Sequence, residues 1–367
     1  MTDATQPRLV LPEKPPAASV GALGWVRANL FNSIPNSILT LFALYVAVRL
    51  LPPLVNWLVI DSNWTATTQA ECKASGGACW AFIGIWYRFI LFGRYPYEEQ
   101  WRPLIVIFLF IAMFFASCDK RLWGSKLLAI WVVGAALVLT LMFGGVLGMP
   151  YVETTLWNGL PLTLILAVFG VMFAFPLGII LALGRRSRMP AVRSLCVAYI
   201  ELIRGVPLIT ILFMASVMLP LFLPAGTTID KLLRAQIAII LFSAAYLAEI
   251  IRGGLQAIPK GQSEAADALG LSYWQKTGKI IVPQALALVV PPLVNTFIGT
   301  FKDTSLVIII GLFDLLTTAT GSLNDASWRG FYWEAYLTVG FIYWCFCFFM
   351  SKYSQALERD LNKGRRR

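Results

Sequence analysis

Three pairs of charged side chains, inside or beside long apolar runs, are the residues of this chain best suited to bind a polar solute. Charges in such settings are costly unless they face a partner or a water-filled path. The pairs are Glu201 with Arg204, Glu249 with Arg252, and Lys302 with Asp303. The first two have an i, i+3 spacing, so each can also form an ion pair along one helix face. A structural ion pair and a binding role both stay open for them.

Catalytic chemistry finds little support in the sequence. The chain contains no histidine, which removes the side chain most often used to shuttle protons near neutral pH. No Cys or His spacing resembles a metal site, and the chain has no Gly-x-x-x-x-Gly-Lys-[Ser/Thr] loop to bind nucleotide phosphates. We therefore expect no catalytic residue, metal or cofactor in this chain.

Two of the six cysteines stand apart from the others. Cys72 and Cys79 lie in a polar stretch, residues 61–81, with Gly76 and Gly77 between them. If this stretch faces an oxidising compartment, the two can form a disulfide; two free thiols are the alternative. The other four sit in or beside apolar runs, where we expect them to pack.

Composition determines what must position these residues. Hydrophobic residues make up 58% of the chain and charged residues only 13%, whereas a soluble domain is about one quarter charged. The apolar residues fall into runs near the length of about 20 residues that crosses a bilayer. This predicts an all-α integral membrane protein with about eight spans. They lie near residues 34–58, 103–118, 126–147, 157–183, 198–222, 233–256, 284–302 and 331–353.

Two features leave the exact count open. Residues 308–318 form a short apolar run that suits a re-entrant or interfacial piece. The first predicted span carries Arg49 and the pair Pro52-Pro53, which can kink a helix or end it early.

Charge predicts the orientation. With the N-terminus inside, the short inner loops and tails hold 20 Lys and Arg residues and the outer loops hold seven, as the positive-inside rule requires. Both termini are then cytoplasmic. The net charge of +11 is explained by this bias, so we expect a lipid bilayer and no nucleic acid as partner.

The chain is predicted to divide near residue 154. A cytoplasmic tail, residues 1–33, without the pattern of a signal peptide, precedes an extension of three spans, residues 34–153, with a long periplasmic loop at 59–102. A five-span core follows at residues 154–356, and a basic cytoplasmic tail at 357–367 ends the chain.

One cytoplasmic loop of the core, residues 257–283, has the local signals of two short helices. Ser263 is a plausible N-cap, and Glu264 and Asp267 suit a helix N-terminus. Gly270 suits the left-handed residue that ends a helix. Ser272 and Gln275 fit a capping box for a second helix, which we expect Pro283 to end. Such a hairpin can dock into a partner or lie on lipid headgroups; its residues alone leave both open.

The same loop carries a long motif. Glu264-Ala265-Ala266, Gly270, Ile280 and Val282-Pro283 resemble the EAA motif of bacterial ABC-importer permeases, in which Leu usually stands at the Val282 position. The resemblance implies a type I importer core and a coupling helix that sits in a cleft of an ATPase subunit. It assigns ATPase coupling to these residues: Glu264, Ala265, Ala266, Asp267 and Gly270.

Partners also follow from the resemblance. It implies a dimer of ATPase subunits that hold ATP and Mg²⁺, a second homologous permease in a heterodimer, and a periplasmic amino-acid-binding protein. The location implied is the bacterial inner membrane.

Further segments resemble the permeases of polar and general L-amino acid uptake systems. Residues 201–208 are similar to their Arg-Gly-Thr-Pro segment, with Val206 in place of Thr, and residues 301–306 are also similar. A zwitterionic solute needs an acceptor for its ammonium and a donor for its carboxylate. The predicted solute path is Asn295, Lys302, Asp303, Thr304, Ser305 and Glu249.

Other classes of function compete with an importer. A gradient-driven secondary transporter would also have many spans, but often shows inverted repeats; none is clear here, and the loop at 257–283 would have no role. A membrane enzyme lacks its chemistry in this sequence. A purely structural subunit would leave the EAA-like loop unexplained.

Overall fold

Helices make up most of the described structure. The computed structural model describes residues 21–224, 226–227 and 229–363, so the predicted tail residues 1–20 and 364–367 lie outside the described residues. Within the described part, extended backbone pairs only in two isolated bridges. The α-helices are α1 Gly21–Asn29, α2 Ile34–Val55, α3 Gln69–Ser75, α4 Trp80–Phe92, α5 Trp101–Cys118, α6 Ser125–Phe143, α7 Gly159–Arg185, α8 Pro190–Gly205, α9 Leu208–Phe213, α10 Lys231–Gln256, α11 Lys260–Ala268, α12 Tyr273–Lys276, α13 Val282–Leu288, α14 Val290–Asp303, α15 Leu315–Ser322 and α16 Tyr332–Lys363.

Several helices continue through turns of another helical type. These extensions are Asn56–Ile60 after α2, Met214–Met218 and Leu219–Phe222 after α9, Thr277–Ile281 after α12, and Thr304–Ile310 after α14. Among the described residues, seven helices are long and apolar enough to cross a membrane, and eight if one bent pair counts as a span. The all-α integral membrane fold predicted from the sequence is confirmed.

The bent pair replaces a span that the sequence predicts as continuous. α8 and the segment Leu208–Phe222 meet at an angle of 103°. Between them Val206 is extended, with φ −112° and ψ 133°, because the ring of Pro207 disfavours helical backbone in the residue before it. The prediction of one continuous span at 198–222 is therefore wrong: residues 198–205 belong to α8, which begins earlier, at Pro190.

The pairing of α7 with α10 forms the centre of the core. Small residues of α7 recur every fourth position at this interface: Gly170, Ala174, Gly178 and Ala182. A Cβ added at Gly178 would lie 2.9 Å from Leu247 Cβ and 3.3 Å from the Ala244 carbonyl oxygen, so the two backbones approach more closely than a side chain at position 178 would allow. Small residues permit this approach between helices in membranes.

From the predicted extension, α5 packs on this core. The rings of Phe110 and Phe169 meet edge to face with centroids 6.0 Å apart, which joins α5 to α7. Lys120 Nζ, just after α5, lies 2.8 Å from Asp360 Oδ2 near the end of α16, and the Tyr353 hydroxyl donates to the Ser117 carbonyl at 3.1 Å. α16 extends to Lys363, through most of the predicted tail at 357–367.

The chain divides after Trp80 into two compact units. The first unit contains α1, which lies in the predicted tail at 1–33, and α2, which passes through Pro52 and Pro53 without ending. The predicted boundary near residue 154 lies inside the second unit.

Cys72 and Cys79 form a disulfide in the first unit, with Cα atoms 5.5 Å apart. The Asn63 N–H donates to the Ala78 carbonyl at 2.8 Å beside it. Glu71 accepts a hydrogen bond from the Thr67 N–H, and this bond holds the pKa of the Glu71 carboxyl below its usual value.

Candidate functional site

Residues 260–276, which we call the α11–α12 hairpin, contain the first part of the EAA-like motif, Glu264 to Gly270. The first helix of the hairpin begins earlier than the sequence predicts. α11 starts at Lys260, and its N-cap residue is Pro259, with φ −59° and ψ 139°. The prediction of Ser263 as N-cap is wrong, because Pro259 already holds the extended geometry from which a helix starts. Asp267 consequently lies in the last turn of α11 and not in its first.

Gly270 reverses the chain between the two helices. Its φ is +70°, a conformation that costs other residues about 1–2 kcal/mol. The Leu271 N–H donates to the Ala266 carbonyl and the Gly270 N–H to the Asp267 carbonyl, at 3.1 and 3.0 Å. These two bonds form a Schellman motif, so Gly270 ends α11 as predicted.

The second helix of the hairpin has the predicted start but a different end. The Gln275 N–H donates to the Ser272 hydroxyl, and the Ser272 N–H donates to Gln275 Oε1 at 3.0 Å, which completes a capping box. Pro283 does not end the helix. It lies in the first turn of α13, where the absence of its N–H costs nothing.

Exposure separates the motif residues into two groups. Ala266 is buried, whereas Glu264, Ala265 and Gly270 are exposed. Leu269 and Trp274, at the tip of the hairpin, are 79% and 75% exposed. The hairpin therefore packs on the rest of the protein through Ala266. Its exposed surface consists of the Glu264 carboxylate, the small Ala265 and the large apolar side chains of Leu269 and Trp274. Sequence reasoning missed the two apolar residues, although Leu269 and Trp274 flank Gly270 closely in the chain.

The predicted ion pairs form part of a larger assembly, which we call the Glu249 cluster. Its members are Arg185, Glu201, Arg204, Glu249 and Arg252. Arg252 donates to Glu249 from Nε and Nη2, at 2.9 and 2.5 Å, as the i, i+3 spacing predicts. The predicted pair of Glu201 with Arg204 is wrong: Glu201 instead lies 2.8 Å from Arg185, since its face of α8 packs against the end of α7.

Arg185 and Arg204 complete the Glu249 cluster. Arg185 reaches Glu249 at 3.5 Å, and Arg204 approaches it at 4.0 Å. The cluster thus joins α7, α8 and α10 at the end of α10 that leads to the hairpin.

A cavity of about 250 Å³ lies between α10 and α14. The side chains that line it are Phe242, Ser243, Tyr246, Thr296, Gly299, Thr300 and Asp303. Ser243 and Thr300 share a hydrogen bond of 3.2 Å across it. Among the described residues, neither the Asp303 carboxylate nor the Tyr246 hydroxyl has a hydrogen bond or ion pair with a protein group, so both are available to a solute.

Only Asp303 of the predicted solute path lines this cavity. Asn295 and Lys302 are exposed elsewhere on α14, and Glu249 belongs to the Glu249 cluster. The Thr304 hydroxyl donates to the Phe301 carbonyl and the Ser305 hydroxyl to the Lys302 carbonyl, so both cap their own helix. Proximity in sequence misled here, because successive helical residues point in different directions.

The cavity residues that the prediction missed share a helical spacing. Thr296, Thr300 and Asp303 follow at i, i+4 and i+7 on α14, which places them on one face. A search for polar residues at helical spacing in the otherwise apolar α10 would likewise identify Ser243 and Tyr246, which are three positions apart and share one face.

Many spans, an exposed EAA-like hairpin and a cavity lined by hydroxyl groups and one carboxylate define the class: a membrane-embedded transport subunit. Comparison with known proteins gives the family. A family model described as "Binding-protein-dependent transport system inner membrane component" matches residues 174–363. The chain belongs to this family, and is a multi-pass component of the inner membrane.

Relatives extend the match over the whole chain. The chain is 51% identical to the inner membrane amino-acid ABC transporter permease protein YhdY of Escherichia coli, over 94% of each chain. It is 39% identical to the glutamate/glutamine/aspartate/asparagine transport system permease protein BztC of Rhodobacter capsulatus, over 100% of this chain and 99% of that protein. A solved structure titled as an amino acid ABC transporter with histidines matches with 34% identity, a TM-score of 0.49, and coverage of 55% of this chain and 92% of that one. The permease family indicated by the EAA-like motif is confirmed.

Proposed function

We propose that the chain is the permease subunit of an importer that moves L-amino acids and is driven by ATP hydrolysis on a separate subunit. The α11–α12 hairpin is the observation that carries this proposal, because it presents the EAA-like residues on an exposed, self-anchored surface. The amino acid as solute is supported by the two relatives that match over nearly their whole length, both of which are named as amino-acid permeases.

The hairpin is the proposed contact with the ATPase. Glu264 makes no hydrogen bond or ion pair within the described part of the chain, so its carboxylate is free for a partner. Leu269 and Trp274 expose large apolar side chains on the two arms of the hairpin, and burial of such side chains by a partner would be favourable. Ala265 and Gly270 let the partner approach the backbone closely.

The helices that flank the hairpin connect it to the cavity. α10 contributes Tyr246 to the cavity and Glu249 to the Glu249 cluster. It ends at Gln256, four positions before α11 begins. After the hairpin the chain leads through α13 into α14, which contributes Asp303. A displacement of the hairpin therefore acts on both walls of the cavity, and this is the proposed route from ATP hydrolysis to alternating access.

The cavity is the proposed solute site of this chain. Asp303 can accept the ammonium group of an amino acid, and Tyr246 and the hydroxyls of Ser243 and Thr300 can bond its polar groups. A carboxylate without a protein partner at a cavity wall is costly, and a bound ammonium group would offset that cost.

The orientation and the remaining partners complete the proposal. The hairpin and both termini lie on the cytoplasmic side with the ATPase dimer, which holds ATP and Mg²⁺. The disulfide segment at 72–79 lies on the periplasmic side, where a binding protein delivers the solute. A second, homologous permease forms a heterodimer with this chain.

A substitution at Ala265 tests the coupling surface. Ala265→Leu adds bulk to an exposed position, so the permease should fold and enter the membrane, but copurification of the ATPase and stimulation of its activity should fall by about tenfold. The matched control is Ala191→Leu, which adds the same bulk to an exposed alanine of α8. Normal ATPase stimulation in Ala265→Leu would remove the hairpin as the coupling element.

A second substitution tests the cavity. Asp303→Asn should abolish amino acid uptake by the reconstituted complex while assembly and basal ATP hydrolysis persist. Lys302→Gln is its control, because this neighbour is exposed and does not line the cavity. Uptake at the wild-type rate in Asp303→Asn would exclude the cavity as the solute site and leave the coupling surface untouched.

A further inference from the structure

The Glu249 cluster holds more positive than negative charge. It contains three arginines (Arg185, Arg204, Arg252) and two glutamates (Glu201, Glu249), so one positive charge has no counterpart within it. Arg252 binds Glu249 with two nitrogens, and Arg185 lies within 3.5 Å of both carboxylates. The surplus cation is the one held most weakly.

Arg204 is that cation. Its shortest approach to a carboxylate is 4.0 Å, to Glu249, too long for a hydrogen bond. Its Nε is buried and has no hydrogen-bond partner among the described residues. A guanidinium normally uses its planar donors to bind a carboxylate or phosphate with two parallel bonds, and here that edge is unused.

The position of Arg204 relates it to the cavity. Its guanidinium carbon lies 5.7 Å from the centroid of the Tyr246 ring, and Tyr246 lines the cavity. Tyr246 precedes Glu249 by one turn of α10, on the side away from the hairpin. The Tyr246 ring thus separates Arg204 from the cavity, and Arg204 lies between the cavity and the hairpin end of α10. Among the described lining residues, none is a cation.

We propose that Arg204 is a specificity-determining residue that binds the carboxylate of the solute as it leaves the cavity towards the hairpin end. The solute supplies the anion that the cluster lacks. Glu249 holds the guanidinium near the path without saturating it, and the Tyr246 ring limits its movement by stacking. Asp303 and Arg204 then recognise the two charges of an amino acid at successive points. This inference rests on the proposed function, since it requires a carboxylate-bearing solute.

A cycle of protein and ligand variants tests it. The complex of this permease with its partner permease and ATPase is placed in nanodiscs without binding protein or nucleotide. Equilibrium dialysis measures the binding of radiolabelled L-glutamine, which carries one carboxylate, and its competition by 4-aminobutanamide, the same molecule without the carboxylate. Wild-type, Arg204→Gln and Arg188→Gln complexes are compared; Arg188 is exposed on the loop before α8 and removes an equal charge at the same end.

The wild type and R188Q should bind L-glutamine about tenfold or more tightly than the analogue, because a hydrogen bond to a charged group has at least that effect. In R204Q the two probes should bind about equally. A wild-type preference retained in R204Q would overturn the proposal, and the anion opposite Arg204 would then be another group, such as a lipid phosphate.

Two further outcomes are decisive. If R204Q does not assemble, Arg204→Lys is used instead: lysine keeps the charge but lacks the paired donors, so the preference should fall about threefold or more, and an unchanged preference overturns the role of the guanidinium. If the wild type binds neither probe, the cavity is excluded as a solute site and the Arg204 proposal falls with it, whereas copurification of the ATPase would still support the coupling surface.

Discussion

Asp267 and Lys276 join the two arms of the α11–α12 hairpin: Lys276 Nζ lies 2.6 Å from Asp267 Oδ1 and 2.9 Å from Oδ2. The Asp267 side chain is 57% exposed, so this ion pair contributes under about 1 kcal/mol. The resemblance assigns Asp267 to ATPase coupling, but in the structure its carboxylate binds Lys276 and so joins the two arms of the hairpin. The shape of the hairpin depends more on the turn at Gly270.

Gly270→Ala should loosen the hairpin. A Cβ at φ +70° costs about 1–2 kcal/mol, and the Schellman bonds to Ala266 and Asp267 should weaken with it. Hydrogen exchange at the Gly270 and Leu271 amides should accelerate about fivefold to thirtyfold, and stimulation of the ATPase should decline.

The control for this substitution lies in the same hairpin. Gly261 is inside α11, has no positive φ and has open space where its Cβ would be. Gly261→Ala should therefore stabilise α11 by about 0.5–1 kcal/mol. Equal effects of the two substitutions on amide hydrogen exchange and on ATPase stimulation would show that the left-handed turn at Gly270 does not determine the shape of the hairpin.

Glu249→Gln should destabilise the protein more than Glu201→Gln. Three arginines approach Glu249, and the loss of its charge leaves them facing each other. Among the described residues, Glu201 lies within ion-pair distance of one arginine, Arg185, and is 54% exposed. We expect a loss of about 1–3 kcal/mol for Glu249→Gln and under about 1 kcal/mol for Glu201→Gln. Thermal unfolding of both variants in one detergent measures the order, and the reverse order would contradict the arrangement of the cluster.

Thiol counting tests the disulfide and, with it, the side of the membrane on which that segment lies. Cys118, Cys196, Cys345 and Cys347 are free, and Cys72 is joined to Cys79. Denatured protein from native membranes should take up four maleimide groups without reductant and six after reduction, because only an oxidising compartment maintains such a bond. Six groups without reductant would place the segment in the reducing cytoplasm or leave the pair unbonded.

The sequence predicts the helices and the class of protein well because both depend on local patterns. Hydropathy over about 20 residues identifies a span whatever its neighbours are. The EAA-like motif spans only Glu264 to Pro283, and its turn at Gly270 depends on one left-handed residue. Ser272 and Gln275 are likewise only three positions apart, within one turn, so their capping box could be predicted.

What the sequence does not show depends on contacts between distant elements. Glu201 pairs with Arg185, 16 positions earlier, because α7 and α8 fold back on each other; the spacing to Arg204 gave no hint of this. The sharp bend at Val206 is set by Pro207, but a run of apolar residues on both sides masks it. Asp303 faces Ser243 and Tyr246 only because α14 packs beside α10.

The central claim, that this permease imports amino acids with energy from ATP, is tested most directly in sealed proteoliposomes. The purified complex is reconstituted with binding protein outside, and accumulation of radiolabelled L-glutamine is measured with ATP and Mg²⁺ inside and no ion gradient, then with a proton or sodium gradient and no ATP. We expect accumulation only with ATP, and its loss in Ala265→Leu but not in Ala191→Leu. Accumulation driven by an ion gradient without ATP would contradict the account and identify a secondary transporter.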